Sequence, residues 1–190
     1  SAEMLDRKSL ASVGDTTGER LTALLTETKA HTPEELAANV ARIGELLGRF
    51  ALYVPARFTD DPAEQAKYWA VRSGIFPAVG GSRPAGTTCL SEDVAFHIED
   101  LPRATAELQA LIARHGYDAC IYGHALEDNY HFIINQSFSP PAEVARYEAL
   151  MNDVAELVSA GTTARSKPSM ARGATWRPSS AASRATTPWP

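Results

Sequence analysis

Cysteine is scarce: Cys89 and Cys120 are the only two in 190 residues. Both sit in apolar, strand-like runs. They read as buried thiols in a reducing, cytoplasmic setting rather than as a disulfide. Long apolar runs are missing too. No stretch approaches the roughly 18 residues of a membrane span, so no transmembrane segment is expected. The N-terminus lacks a signal-peptide pattern. Basic residues are outnumbered, 18 against 23 acidic, for a net charge of -5. That balance gives nucleic-acid binding no electrostatic support. There is no P-loop, no dinucleotide glycine fingerprint and no Ser-His-Asp arrangement, which removes the commonest nucleotide and acyl-transfer chemistries.

What is present is enough for one cored domain: 44% of the residues are hydrophobic. The charge is uneven. Residues 161–190 hold five basic residues and no acid, so the first 160 carry 13 basic groups against all 23 acidic ones. This tail is rich in Ala, Ser, Thr, Pro and Arg and has no apolar period. Two segments follow from the contrast, a domain over 1–159 and a disordered tail over 160–190.

Within the domain, Leu21 to Lys29 reads as a strand. Thr32-Pro33-Glu34-Glu35 is a helix start with a capping box, and Leu36, Val40, Ile43, Leu46 and Leu47 continue it at helical spacing. Ala51 to Pro55 reads as a short strand. Asp60 or Asp61 caps a second helix that stops at Gly74, and Ile75 to Gly86 reads as a Gly/Pro-rich loop. A strand over Thr87–Phe96 follows, then a helix from Leu101 to His115 with Gly116 past its end. A hairpin comes next, and Pro140-Pro141 opens a last helix. This order predicts an α+β fold, one largely antiparallel sheet with helices packed on one face.

The hairpin carries the clearest chemistry. An apolar run ends in Gly123-His124, a polar turn follows, and a second apolar run opens with His131. A turn centred near Glu127-Asp128 makes the histidines cross-strand partners on one face. Two imidazoles so placed suit a shared divalent metal. They equally suit a hairpin with polar residues near its ends, and spacing alone does not decide.

Longer motifs point further. Gly80 to Thr88, the Glu92-Asp93-Val94-Ala95-Phe96 strand and Gly123 to Phe132 resemble the C-terminal half of FAD-linked oxidases. Met4 to Leu10 and Trp69 to Pro77 fit the same family. The closest resemblance is to bacterial D-lactate or D-2-hydroxyglutarate dehydrogenases that join a flavin module to an iron–sulfur module. The resemblance implies a ferredoxin-like substrate domain and an enzyme that moves a hydride from the α-carbon of a D-2-hydroxy acid to FAD. It implies FAD bound mainly by an upstream domain and an iron–sulfur cluster only in the full-length protein. It also implies a divalent metal, Zn or Mn, on His124 and His131 with an acidic residue further on. Arg72 matches an arginine that binds the substrate carboxylate, a role that suits its planar fork. As a solvated helix end it would equally suit the helix dipole. Arg83, in the Gly-rich loop, is a second carboxylate or phosphate candidate, or simply exposed. Glu92 and Asp93 read as ligands or as fixing the strand end. His31, His97 and His115 read as surface residues.

The sequence departs from the family in two places. Asp128 stands where the family usually has Gly, and Tyr130 where it usually has Leu. Beyond the last helix, the expected segment of the form DGSLKAEHGTGRNMAPF, whose Glu supplies the acidic metal ligand, is absent. Ser166 to Ser180 nevertheless admit codons whose alternate frame reads KAEHGTGRNMAPFV. The tail from around Ser159 onward therefore reads as a frameshifted version of that segment. Taken alone, the chain is expected to be inactive, and self-association into a homo-oligomer through an exposed sheet face stays open. The contrasting reading is a non-catalytic α+β binding or dimerisation module with a vestigial metal-binding histidine pair.

Overall fold

A computed structural model describes residues 1–15 and 21–163. The tail read as disordered and out of frame lies almost wholly outside them. Five strands form one sheet: β1 (Ala2–Leu5), β2 (Ala23–Thr26), β3 (Thr88–Ala95), β4 (Cys120–His124) and β5 (Asn129–Gln136). Their order is β2-β1-β4-β5-β3, and every pairing is antiparallel. The helices are α1 (Arg7–Ser12), α2 (Pro33–Leu47), α3 (Pro62–Gly81), α4 (Leu101–Arg114) and α5 (Pro141–Thr163). The α+β class and the antiparallel sheet are as the sequence led one to expect.

Strand alternation sorts the side chains into two layers. Met4, Ile121, Phe132 and Ile134 point one way and pack with Leu108 of α4 and Leu150 of α5. This is the expected helix layer. Leu5, Tyr122 and Ile133 point the other way, against Leu10 of α1 and Ile75 of α3. The second face is thus covered as well, more thinly. Both cysteines belong to this second layer and are free thiols. Burial pushes the Cys120 thiol up to about 12.

Local signals explain several elements. Thr32 caps α2 by accepting the Glu35 amide at 3.2 Å, and the Glu35 carboxylate reaches back to the His31 amide at 3.1 Å. Asp61 caps α3 by accepting the Ala63 amide at 2.9 Å. Gly116, at φ +74°, ends α4 in the left-handed conformation.

Three expectations do not hold. The helix expected to stop at Gly74 continues to Gly81, through Pro77. An internal proline costs about 3 kcal/mol. Ile75 is fully buried and Val79 packs beside it, four residues apart on the sheet side. Full burial of Ile75 returns about 1.5–3 kcal/mol, and the partly buried Val79 adds to it, which offsets most of that cost. Residues 51–55 form no strand. Tyr53 and Val54 are exposed, so no burial offsets the entropy of ordering them. Finally, the first residues, given no element from sequence, form β1 and α1. β1 lies inside the sheet, between β2 and β4.

Candidate functional site

One cluster occupies the α3 side of the sheet. Register puts Glu3 opposite His124, Tyr122 opposite His131, and Asp93 opposite His131 on its other flank. Residues directly opposite share a face, so these five side chains come together from β1, β4, β5 and β3. Arg72 reaches down from α3. It lies mid-helix because α3 runs on to Gly81, so the reading as a solvated helix end loses its basis. Arg72 and Ile75 are three residues apart, which turns the guanidinium toward the sheet on the same face as the buried isoleucine.

The hairpin is shifted by one step from expectation. His124 pairs with Asn129, and the two histidines are diagonal neighbours. Their rings still meet edge to face at 5.5 Å. Asp128 takes φ +60°, a left-handed turn position that a short polar side chain tolerates. Gly123 is fixed by close approach: a Cβ there would meet the Asn129 carbonyl oxygen at 2.5 Å and the Tyr130 Cα at 2.8 Å.

Glu3 is the hub. Its side chain is 3% exposed. One oxygen, Oε2, accepts from Arg72 Nε at 2.8 Å, and the other, Oε1, lies 2.6 Å from His124 Nδ1. Arg72 Cζ also sits 4.4 Å above the Tyr122 ring centroid, a cation–π contact. His131 Nδ1 is 3.2 Å from Asp93 Oδ1, and its ring packs on Tyr122 at 5.4 Å. Asn129 has a buried Oδ1 with no hydrogen-bond partner, an unused acceptor beside His124.

Charge and burial act together here. Burial works to raise the Glu3 carboxyl, but the Arg72 and His124 contacts outweigh it and hold it below the usual range. Burial lowers His131, and nearby Arg72 and His124 add to that against the pull of Asp93. His131 is therefore a neutral imidazole at pH 7. Burial raises the Tyr122 phenol, which stays protonated. The cluster thus offers an anchored cation, a neutral imidazole and a buried carboxylate.

Of the residues singled out from sequence, the structure gathers Arg72, His124 and His131. Arg83 is not brought in. It donates from Nε to the Thr87 carbonyl at 3.1 Å and from Nη1 to the Gly80 carbonyl, closing the turn before β3. Asp93 joins through His131, whereas Glu92 points away and accepts from the Tyr147 hydroxyl at 2.6 Å. His97 and His115 are half-buried rather than exposed, and His115 Nε2 lies 2.8 Å from Asp153. Sequence reasoning missed Glu3 and Tyr122. An acid flanked by Ala2, Met4 and Leu5 is a weak signal for Glu3, and nothing flagged Tyr122.

Residues 1–162 match the family of FAD linked oxidases, C-terminal domain. The chain belongs to that family. No curated protein matches the sequence. As an FAD-linked oxidase C-terminal domain, it is part of an FAD-dependent oxidoreductase family. Among the described residues, no helix is long and apolar enough to cross a membrane.

The groups that such an oxidase domain invites can be tested against its residues. Among the described residues, no set of three or more His, Cys, Asp or Glu side chains is placed to hold a metal ion. Two imidazoles, each with Nδ1 turned to a carboxylate, fall short of the usual zinc set. The two cysteines fall short of an iron–sulfur site, which takes four ligands. Two cavities, of 290 and 210 Å³, lie along Lys29–Asn39 and between α1 and α4, away from Arg72, His124 and His131. Neither makes a flavin pocket at the cluster.

Proposed function

We propose that this chain is the substrate-binding portion of an FAD-dependent dehydrogenase for small D-2-hydroxy acids, of the D-lactate, D-2-hydroxyglutarate or glycolate class. The observation that carries the reading is the Arg72 guanidinium, tied through Nε to buried Glu3 and lying beside two imidazoles. The Glu3 contact uses Nε alone. The guanidinium suits a ligand carboxylate in charge and planarity. A 2-hydroxy acid presents its hydroxyl one carbon from that carboxylate. A neutral histidine accepts the hydroxyl proton as the α-carbon gives up its hydride, leaving the 2-keto acid. FAD takes the hydride when bound, and the reading assigns its pocket to a domain outside the described residues.

The same reading gives the full-length enzyme a Zn or Mn site completed by an acidic ligand, and takes the tail to be a frameshifted version of the segment that carries it. It further implies that the chain as it stands does not turn over. Nuclear magnetic resonance titration of the purified chain tests the substrate class. D-lactate, D-2-hydroxyglutarate or glycolate should shift the His124 and His131 ring signals, and Arg72→Met should weaken that binding at least tenfold. If none of the three perturbs these signals, the substrate reading fails and the non-catalytic module takes its place. Restoring the alternate frame should add about one bound divalent metal per chain by elemental analysis. A frame-restored chain without metal would refute the tail's role.

A further inference from the structure

We infer that Glu3 is a positioning residue for this site: one carboxylate oxygen fixes the tautomer of His124 while the other fixes the orientation of Arg72. The inference rests on the substrate reading only in supposing that ligands meet these two groups.

Two observations support it. Glu3 stands on an inner strand, paired on both sides, so its backbone has little freedom. Its carboxylate divides cleanly, Oε1 to His124 Nδ1 at 2.6 Å and Oε2 to Arg72 Nε at 2.8 Å. A carboxylate is an acceptor only, so the proton between Glu3 and a neutral His124 belongs on Nδ1. Nε2 then carries the lone pair. The same contact anchors Arg72 through Nε and so fixes the plane of its guanidinium.

The second histidine shows the difference a buried partner makes. Asp93 approaches His131 Nδ1 at a longer 3.2 Å, and its side chain is 52% exposed. Water competes for that carboxylate, so it holds His131 less firmly. Of the two imidazoles, His124 is the one whose free nitrogen is specified by the fold. A simple staple between α3 and the sheet would need only the Arg72 contact. The second oxygen on His124 is what marks Glu3 as setting the site's chemistry.

Long-range proton–nitrogen spectra of the ¹⁵N-labelled chain, followed upward in pH until the imidazole signals stop moving, test this directly. Wild type should show His124 protonated on Nδ1. Glu3→Gln, whose amide cannot accept from both partners, should shift His124 toward the Nε2-protonated form. Asp93→Asn should leave His124 unchanged. A wild-type His124 protonated on Nε2, or a Glu3→Gln spectrum identical to wild type, overturns the inference. If Glu3→Gln does not fold, Glu3→Asp replaces it. Its carboxylate, one methylene shorter, must release one partner, so an unchanged His124 signal and unchanged Arg72 Nε signal again overturn it. These readings need no substrate. Failure of every hydroxy acid to bind, with the tautomers as stated, sinks the substrate reading and leaves the role of Glu3 standing.

Discussion

At the residue scale, a buried carboxylate on an inner strand decides most of the site's behaviour. Removing one partner of a buried ion pair costs about 3–5 kcal/mol. Glu3 keeps His124 when Arg72 is lost, so Arg72→Met is expected at the low end, about 3 kcal/mol, read from the urea midpoint. A change under about 1 kcal/mol would make the pair a surface-like contact. The pH dependence has a definite sign. Glu3 is held below its ordinary 4.5, so its contribution is complete above that value and is lost as pH falls through the folded one. His131 is held below its ordinary 6.5, so it leaves stability unaffected above that value and opposes the fold as pH drops below it. Melting temperature should therefore hold steady from about pH 6.5 up to about 9.0, the ordinary value from which burial raises the Cys120 thiol, and fall on the acid side. His131→Gln should remove the upper part of the fall, and Glu3→Gln the lower part.

At the element scale, the hairpin is the sharpest test. A Cβ at Gly123 would collide with the backbone of β5. Gly123→Ala should cost at least about 2 kcal/mol and disturb Tyr122 and His124 on either side. Asp128→Gly should act oppositely. It relieves a left-handed residue and removes a buried Oδ1 that has no hydrogen-bond partner, for a gain of about 1 kcal/mol by thermal unfolding. These elements also show what could be read in advance. Thr32-Pro33 and Gly116 announce helix ends through local hydrogen bonding, which sequence carries. His124 and His131 were placed on one face because strand parity survives a one-step slip of the turn that keeps their offset even. The α3 boundary was misread because burial of Ile75 and Val79, a tertiary effect, overrode the local signal of Pro77. β1 was missed because four residues are too few for a period, and its acid contradicts the apolar look of an inner strand. Glu3 became visible only once its distant partners were in place.

At the scale of the whole molecule, the sheet has one well-packed face under α4 and α5 and one more thinly covered face, where the polar cluster lies beside a smaller apolar core. Stability and candidate chemistry are thus divided between the two sides. Phe132, fully buried in the α4–α5 layer, should cost about 3–5 kcal/mol when cut to Ala, while sitting on the opposite face from Arg72. Its effect on ligand binding should follow only the unfolded fraction, measured by titration at a temperature where the variant is folded. The position of β1 carries a consequence for how the molecule forms. Glu3 and His124 are 121 residues apart in the chain, and β1 joins β4 across almost the whole domain. Loop closure over such a span delays the strand's pairing. During synthesis β1 and its charged side chain emerge well before the histidine hairpin and wait for it with one edge unmatched. Refolding should accordingly run in milliseconds to seconds, and in stopped-flow records the Tyr122 environment should be among the last to mature.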